Sequence, residues 1–190
     1  MIMKYKILIL ICVAFSGCTI NLKSELPSIN YYKLDTTLAK SSTCEAYSLI
    51  GLSGIEVPSK YQNAKILYSD NAKVSELKGV HFSNDIKNEL ENMLIKESYK
   101  HCLKVINPPF SGTKIESYLK LKLLDFEILK DGMEATISLL YQVTSNGQVS
   151  QAGILSKSEA IASFDEEHII EAMQDVAILS TKELVDILKQ

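Results

Sequence analysis

Residues 118–143 read YLKLKLLDFEILKDGMEATISLLYQV, and this stretch decides the fold. Its first half alternates apolar and polar residues, which predicts a half-buried β-strand over 118–129. The apolar positions change phase at Leu123-Leu124, and such a change is typical of a β-bulge or an exchange of faces. Asp131-Gly132 is a tight-turn signal, and a second clean alternation follows over 135–143. The stretch therefore predicts two long antiparallel strands joined by a hairpin.

The flanking sequence adds further strands on both sides of this hairpin. Asn146-Gly147 is another hairpin signal, and it predicts an antiparallel strand over about 149–160. Ser69-Asp70-Asn71 has the composition of a turn. Apolar runs bounded by turn residues predict shorter strands over 31–34, 46–57, 65–68, 73–77 and 103–106.

Two segments have helical spacing. Residues 83–100 place apolar side chains on one face, and Ser83 is the predicted N-cap. The chain ends in a longer helix, for which Ser163-Phe164-Asp165-Glu166 matches a capping box and 169–188 supplies an apolar stripe. Together the elements predict a single α+β domain over 31–190, with a mixed, mostly antiparallel sheet packed by two main helices.

The composition argues against some classes of function. The 190 residues carry a formal net charge of −3, which becomes −5 when Lys4 and Lys6 leave with a leader. The chain contains no Arg, the residue that best recognises phosphate in a bidentate manner. A weakly acidic domain of this kind is a poor partner for nucleic acid.

The N-terminus has the three-part layout of a secretory signal. Lys4 and Lys6 form a positive region, residues 7–15 are apolar, and Ser16-Gly17 are small residues before a cleavage point. The apolar run is about half of the ~20 residues that span a bilayer, so a permanent transmembrane helix is not expected. The arrangement resembles a bacterial lipobox ending at Cys18, which is the predicted lipid attachment site.

This interpretation divides the N-terminal region into a lipoprotein signal peptide, residues 1–17, and an acylated N-terminus with a tether, residues 18–30. Stable anchoring needs more than one acyl chain, and a triacylated Cys18, with palmitate among its chains, would meet that need. In many Gram-negative lipoproteins Asp after the cysteine accompanies inner-membrane retention. Thr19 stands there, which predicts the outer membrane with the domain facing the periplasm. The alternative is an ordinary secreted protein cleaved nearby, with Cys18 incidental.

Two further cysteines remain after such processing, Cys44 and Cys102. An oxidising periplasm allows them to form a disulfide, although spacing alone does not show that they meet. The alternative is two separate thiols. A metal pair is not favoured, because His101 beside Cys102 has no partner motif around Cys44.

Sequence patterns of common enzymes are missing. The chain has no GxGxxG, P-loop, GxSxG or HExxH pattern, so no catalytic residue, cofactor or metal site is predicted. Asp125 and Glu127 share one side of a strand and imitate paired catalytic carboxylates, but solvated charges explain them better. His168 follows three acidic residues and is interpreted as a surface histidine in an ion pair.

Several ordered motifs resemble those of the ABC-type transport auxiliary lipoproteins, the family that includes the paraquat-inducible protein C type. They are Tyr31-Tyr32-Lys33-Leu34-Asp35, Gly54-Ile55-Glu56-Val57-Pro58-Ser59-Lys60-Tyr61, Ile66-Leu67-Tyr68, Tyr118-Leu119-Lys120-Leu121-Lys122-Leu123 and Phe126-Glu127. Family members often carry Trp or Pro before the first helix, where this chain has Val80-His81-Phe82-Ser83. Phe82 is the candidate to take over that packing role.

The resemblance implies a non-enzymatic envelope lipoprotein with a fold similar to the N-terminal domain of TolB. Its implied partners are an ABC permease, its ATPase and a substrate-binding protein of the mammalian-cell-entry type, in a system that moves phospholipids or other hydrophobic molecules. Phospholipid itself is a further possible ligand. The rival hypothesis is a structural or assembly lipoprotein, such as a pilotin or an outer-membrane assembly factor.

Overall fold

The predicted meander forms one side of a mixed sheet in the computed structural model, with its first strand at the centre and its last strand at an edge; the structure describes residues 28–35 and 43–189. The predicted signal peptide, Cys18 and most of the predicted tether lie outside these residues. The helices of the described part are α1 (Ile86–Lys100) and α2 (Glu166–Leu188), and Ser59–Tyr61 forms a 3-10 turn. Its strands are β1 (Asn30–Tyr32), β2 (Ser48–Glu56), β3 (Lys65–Asp70), β4 (Lys73–Phe82), β5 (Leu103–Ile106), β6 (Ser117–Leu129), β7 (Glu134–Ser145) and β8 (Gln148–Ala160).

Strand β6 organises the sheet because it pairs along both of its edges. On one edge β7 runs antiparallel to it, and β8 runs antiparallel to β7. The other edge is shared by two parallel neighbours, β2 along residues 117–122 and β3 at residues 128–129. Beyond these, β5 extends β2, while β4 and β1 extend β3. The longest pairings are antiparallel, which confirms the predicted α+β domain with a mixed, mostly antiparallel sheet and two main helices.

The bulge predicted in the first long strand is confirmed. The register between β6 and β7 shifts between Leu123 and Asp125, so Leu124 is an extra residue in the ladder. Leu123 and Phe126 are 0% and 2% exposed, so the apolar side chains before and after the phase change are both buried in the core. The bulge thereby allows one strand to bury two runs of opposite phase.

The connections between strands agree with the turn signals in two cases and differ in one. Asn146-Gly147 forms a two-residue turn with φ values of 53° and 79°, and Asp131-Gly132 lies between β6 and β7. The turn predicted at 69–71 is centred later, at Asn71-Ala72. Strand β4 also runs past the predicted end at residue 77. Gly79 has a φ of 77° where the register against β3 shifts, and this irregularity interrupts the alternation.

The predicted caps of both helices are wrong by two residues. The N-cap of α1 is Asp85, whose carboxylate accepts a hydrogen bond from the Asn88 backbone N–H at 2.9 Å, and not Ser83. The N-cap of α2 is Asp165, which accepts from the His168 N–H at 3.1 Å, so the capping box at Ser163 does not form. In each case an Asp stands closer to the first helical turn, and its carboxylate also suits the positive end of the helix dipole.

Both helices pack on one face of the sheet, where α2 contacts β7 and β8 and α1 contacts β5 and α2. Leu119, Ile137 and Met173 lie in the resulting core and are fully buried. The opposite face of β6–β8 carries exposed side chains, among them Lys122 and Ile154. Across the described ranges, neither helix is long and apolar enough to cross a membrane.

Candidate functional site

A cleft of about 330 Å³ opens where the C-terminal end of α2 meets the sheet. Its volume lies at the low end of the roughly 300–1,000 Å³ typical of small-molecule sites. The cleft combines an apolar wall with convergent polar groups, which is the usual composition of such sites. Its lining residues are Ser48, Leu49, Ile50, Leu103, Ser117, Val143, Ser145, Ser150, Gln151, Ile187 and Leu188.

The apolar side of the cleft comes from two parallel strands and the end of a helix. Ile50 of β2 and Leu103 of β5 are 5% and 3% exposed, so they form a rigid floor. Ile187 and Leu188 stand over it, because the apolar stripe of α2 continues to its last turn. A ligand in the cleft would therefore lie against aliphatic side chains.

The polar side is a row of serine hydroxyls across three strands. Ser117 and Ser145 are directly opposite on β6 and β7, with their hydroxyl oxygens 2.8 Å apart. Ser145 and Ser150 Oγ are 3.3 Å apart, and the Ser150 hydroxyl donates to the Val143 carbonyl at 3.3 Å. The β7–β8 register shifts at this point, which leaves Ser150 as an extra residue in β8 and brings its side chain beside Ser145.

Among the residues that the structure describes, the lining of the cleft contains no ionisable side chain. Serine hydroxyls both donate and accept hydrogen bonds, so they suit carbonyl, ester, amide or hydroxyl groups. They do not neutralise a phosphate or a carboxylate. In the described part of the chain, no histidine or carboxylate lines the cleft beside these serines in the position of a base for a nucleophilic serine. The chemistry of the cleft is that of a binding site for a neutral polar group attached to an apolar one.

The two cysteines singled out in the sequence meet next to this cleft. Their sulfurs are 2.05 Å apart and their Cα atoms 5.6 Å apart, so Cys44 and Cys102 form a disulfide in the structure. The Cys102 carbonyl accepts a hydrogen bond from the N–H of Ser48, a lining residue, at 3.1 Å. The disulfide thus joins the end of α1 to the chain that enters β2 at the cleft.

The motif Tyr31–Asp35 attaches the start of the domain to both helices. Tyr32 donates its phenolic hydrogen to Glu166 at the start of α2. Leu34 is fully buried, and the Asp35 carboxylate accepts from Lys96 Nζ at 2.6 Å. The domain therefore begins beside the N-terminal end of α2, whereas the cleft lies at the C-terminal end.

The strand-face carboxylates Asp125 and Glu127 are not in the cleft. They lie on the open face of β6, in a shallow concavity shared with hydroxyls of β7 and β8. Asp125 is exposed and 3.5 Å from Lys60 Nζ, in keeping with a solvated charge. Glu127 Oε2 is buried and has no hydrogen-bond partner within the described part of the chain.

The histidines occupy surface ion pairs. His168 Nδ1 is 2.8 Å from Asp165 Oδ1, as the sequence interpretation predicts. The hydrogen bond to Asp165 raises the pKa of His168. The Ser163 hydroxyl and His168 together hold the pKa of Asp165 at about 2. His101 is 3.4 Å from Glu97, and among the described residues no group of three or more His, Cys, Asp or Glu is placed to hold a metal ion.

Sequence reasoning missed the cleft because its serines carry no motif. The usable signal was the two-residue turn at Asn146-Gly147, which sets Ser145 opposite Gln148 and so fixes the β7–β8 register. The meeting with Ser117 depends in addition on the bulge in β6, and the apolar floor depends on parallel pairing between distant segments.

Solved structures share this fold, while no protein-family model and no curated protein matches the chain. An uncharacterized protein is 12% identical, with a TM-score of 0.68 over 85% of this chain and 99% of that one. Protein XCC0632 from Xanthomonas campestris, of family DUF330, is 14% identical, with a TM-score of 0.65 over 84% and 90%. The hypothetical protein CT253 from Chlamydia trachomatis is 13% identical, with a TM-score of 0.53 over 75% and 96%. These likenesses define the fold of the domain.

Proposed function

We propose that this chain is a lipoprotein anchored through Cys18 in the outer membrane, with its domain in the periplasm. It acts without catalysis as an auxiliary component of an ABC system of the mammalian-cell-entry type, which moves phospholipid or other hydrophobic molecules across the envelope. The lipobox-like N-terminus supports the anchor, and the ordered motifs from Tyr31 to Glu127 support the assignment to such a system.

The observation that carries the proposal is the chemistry of the cleft. Its aliphatic wall suits an acyl chain, and its serine hydroxyls suit the ester carbonyls next to that chain. The region where acyl chains join glycerol in a phospholipid has this combination of neutral carbonyls and hydrocarbon. The charged headgroup would remain outside, because none of the described side chains that line the cleft can pair with it.

The position of the cleft fits a domain that works away from its anchor. The described chain begins beside Glu166 at the start of α2, and the cleft is at Ile187 and Leu188. A helix of 23 residues is about 34 Å long at 1.5 Å per residue. The cleft therefore lies at the end of the domain opposite the tether. Anchoring confines the domain to one membrane and raises its effective concentration for partners there.

The anchor is tested by metabolic labelling with radioactive palmitate in the native host. Cys18→Ala is expected to remove the label and to release the protein from the membrane or leave it as uncleaved precursor. Cys12→Ala is the matched control, since Cys12 lies in the leader, and it keeps the label. Normal labelling of Cys18→Ala would contradict the anchor, and a predominantly inner-membrane band on a sucrose gradient would contradict the location.

The partners are tested by crosslinking in intact cells followed by mass spectrometry. We expect adducts with a mammalian-cell-entry-type protein, and we expect deletion of the gene to sensitise cells to detergent. Adducts only with a secretin or an assembly barrel, with unchanged lipid asymmetry, would instead support the assembly lipoprotein.

A further inference from the structure

Within the described residues, strand β8 leaves a long edge of the sheet unpaired. It has 13 residues and pairs with β7 alone within the described part of the chain. The edges at the other ends of the sheet are short, with three residues in β1 and four in β5. Short strands limit edge-to-edge association, and a long free edge is a template for another strand.

A second free edge of the described part, along residues 73–79 of β4, is more densely charged than β8. Lys73, Glu76 and Lys78 place three charges in seven residues, whereas the 13 residues of β8 carry two, and each strand has one register irregularity. Charged side chains and irregular backbone are common protections of an edge. Strand β8 is therefore the free edge best suited to accept another strand.

The outward-facing side chains of β8 carry no charge. They lie opposite Gln142, Leu140, Ser138 and Thr136 of β7 and are Ala152, Ile154, Ser156 and Ser158. Ile154 is 63% exposed, and its cross-strand neighbour Leu140 is 38% exposed. This exposed aliphatic pair lies at the middle of the edge, where a strand added to β8 would cover it.

The charges of β8 point to the helical face instead. Lys157 is opposite Ile137, which is fully buried, and it forms an ion pair with Glu183 of α2. Glu159 is opposite the buried Ala135. Neither side chain stands on the outward face, so that face of the edge is neutral.

We propose that β8 pairs with β8 of a second copy of this chain, antiparallel and across a two-fold axis at Ile154. A closed dimer uses the same surface on both copies, and pairing a strand with itself about such an axis is antiparallel. The occupant must bring an unpaired strand of matching length and a neutral outward face, and β8 of another copy has both.

The register about Ile154 centres the pairing on the strand, because Ile154 is the central residue of Gln148–Ala160, and residues 151–157 all lie on one side of the bulge at Ser150. On the outward face Ile154 meets its own counterpart, and Ala152 meets Ser156 of the other copy. On the helical face Lys157 meets Gln151, so no like charges are opposed. The result is a continuous sheet through two copies with both pairs of helices on one side.

Cysteine crosslinking of the full chain in its native membrane tests this register. Directly opposite residues of antiparallel strands have Cα atoms about 4.5–5.5 Å apart, within the range of a disulfide. Ile154→Cys is expected to give a disulfide-linked product of twice the monomer mass under mild oxidation. Ser156→Cys is the matched control on the same face. In the proposed register it lies about 13 Å from its counterpart, at ~3.3 Å per residue, and stays monomeric.

A second variant separates association from folding. Ile154→Lys places two like charges at the axis, and it is expected to abolish co-purification of two differently tagged copies while leaving the far-UV circular dichroism spectrum of the folded domain unchanged. Loss of co-purification together with the Ile154→Cys crosslink supports the proposal. Equal crosslinking of both cysteine variants, no crosslink from Ile154→Cys, or an adduct only with a different protein would overturn it.

Discussion

Ser117 and Ser145 stand directly opposite each other on β6 and β7, and their hydroxyl oxygens are 2.8 Å apart on the polar side of the cleft. The same two strands are bridged on the helical face by apolar pairs such as Leu121 and Tyr141. The hydroxyl pair therefore marks the point where the core ends and a polar site begins. Ser150 extends the row to a third strand.

Removing the central hydroxyl of this row should lower the affinity for ligand, with a smaller effect on the free energy of unfolding. Ser145→Ala leaves Ser117 and Ser150 without their shared partner, and one hydrogen bond is worth about 1 kcal/mol net. We expect roughly a fivefold loss of affinity for a fluorescent phospholipid in a titration. The control is Ser138→Ala, which removes a similar hydroxyl pair (Ser138 and Ser156, 2.9 Å apart) on the open face. Equal losses in both variants would contradict a role for the cleft.

The disulfide between Cys44 and Cys102 should contribute strongly to stability. It closes a loop with a sequence separation of 58, and loss of such a crosslink costs on the order of 4 kcal/mol in the chain-entropy description. Cys102→Ser and Cys44→Ser should each lower the urea midpoint, and the double variant should match the single ones. Mass spectrometry of the non-reduced protein should show two hydrogens fewer than the free thiols. A midpoint unchanged by reductant would show that the pair is free.

The cap of the first helix is tested by a matched pair of substitutions. Asp85→Ala removes the hydrogen bond to the Asn88 N–H and should destabilise the fold by about 1 kcal/mol. Ser83 is exposed and lies outside the helix. Ser83→Ala should therefore change the free energy of unfolding by no more than about 0.5 kcal/mol. Chemical denaturation measures both. A larger loss of stability in Ser83→Ala than in Asp85→Ala would instead identify Ser83 as the N-cap.

The Asp165–His168 pair should make the start of α2 sensitive to pH. The hydrogen bond to Asp165 raises the pKa of His168, so its stabilising effect is complete below about pH 6.5 and is lost as pH rises through the raised value. The pKa of Asp165 is lowered to about 2. The stabilisation from its carboxylate is therefore complete above the usual pKa range of Asp and is lost as pH falls through about 2. Titration of the His168 ring protons by NMR should give a pKa above 6.5 that Asp165→Asn lowers. An unchanged pKa in that variant would contradict the pairing.

The long strands of this fold were predictable because their signals are local. Alternation over 118–129 and 135–143 and the turn at Asn146-Gly147 identify β6, β7 and β8 without any knowledge of the rest. The bulge was predictable too, since an extra residue in the ladder shifts the alternation by one position and leaves this mark in the sequence. The meander in the structure follows these signals closely.

The strand order was not predictable, because it depends on contacts between distant segments. The parallel pairing of β2 with β5 and β6 joins segments separated by many residues, and no local pattern encodes which edge a strand selects. The cap predictions were wrong because serine and aspartate both favour the N-cap position. In each helix the predicted serine, Ser83 or Ser163, is followed two residues later by the aspartate that forms the cap, Asp85 or Asp165. The cleft was missed because its floor is built by parallel pairing between distant strands, and no local sequence pattern predicts that pairing.

Site-specific photo-crosslinking to lipid tests the central claim most directly. A photoreactive residue replaces Gln151, at the rim of the cleft, in cells whose phospholipids carry radioactive phosphate. The matched control replaces Gln142, an exposed glutamine on the open face of β7. If the cleft binds lipid, we expect a labelled adduct at position 151 and little or none at position 142. Equal labelling at the two positions, or none at position 151, would contradict a lipid-binding role for the cleft.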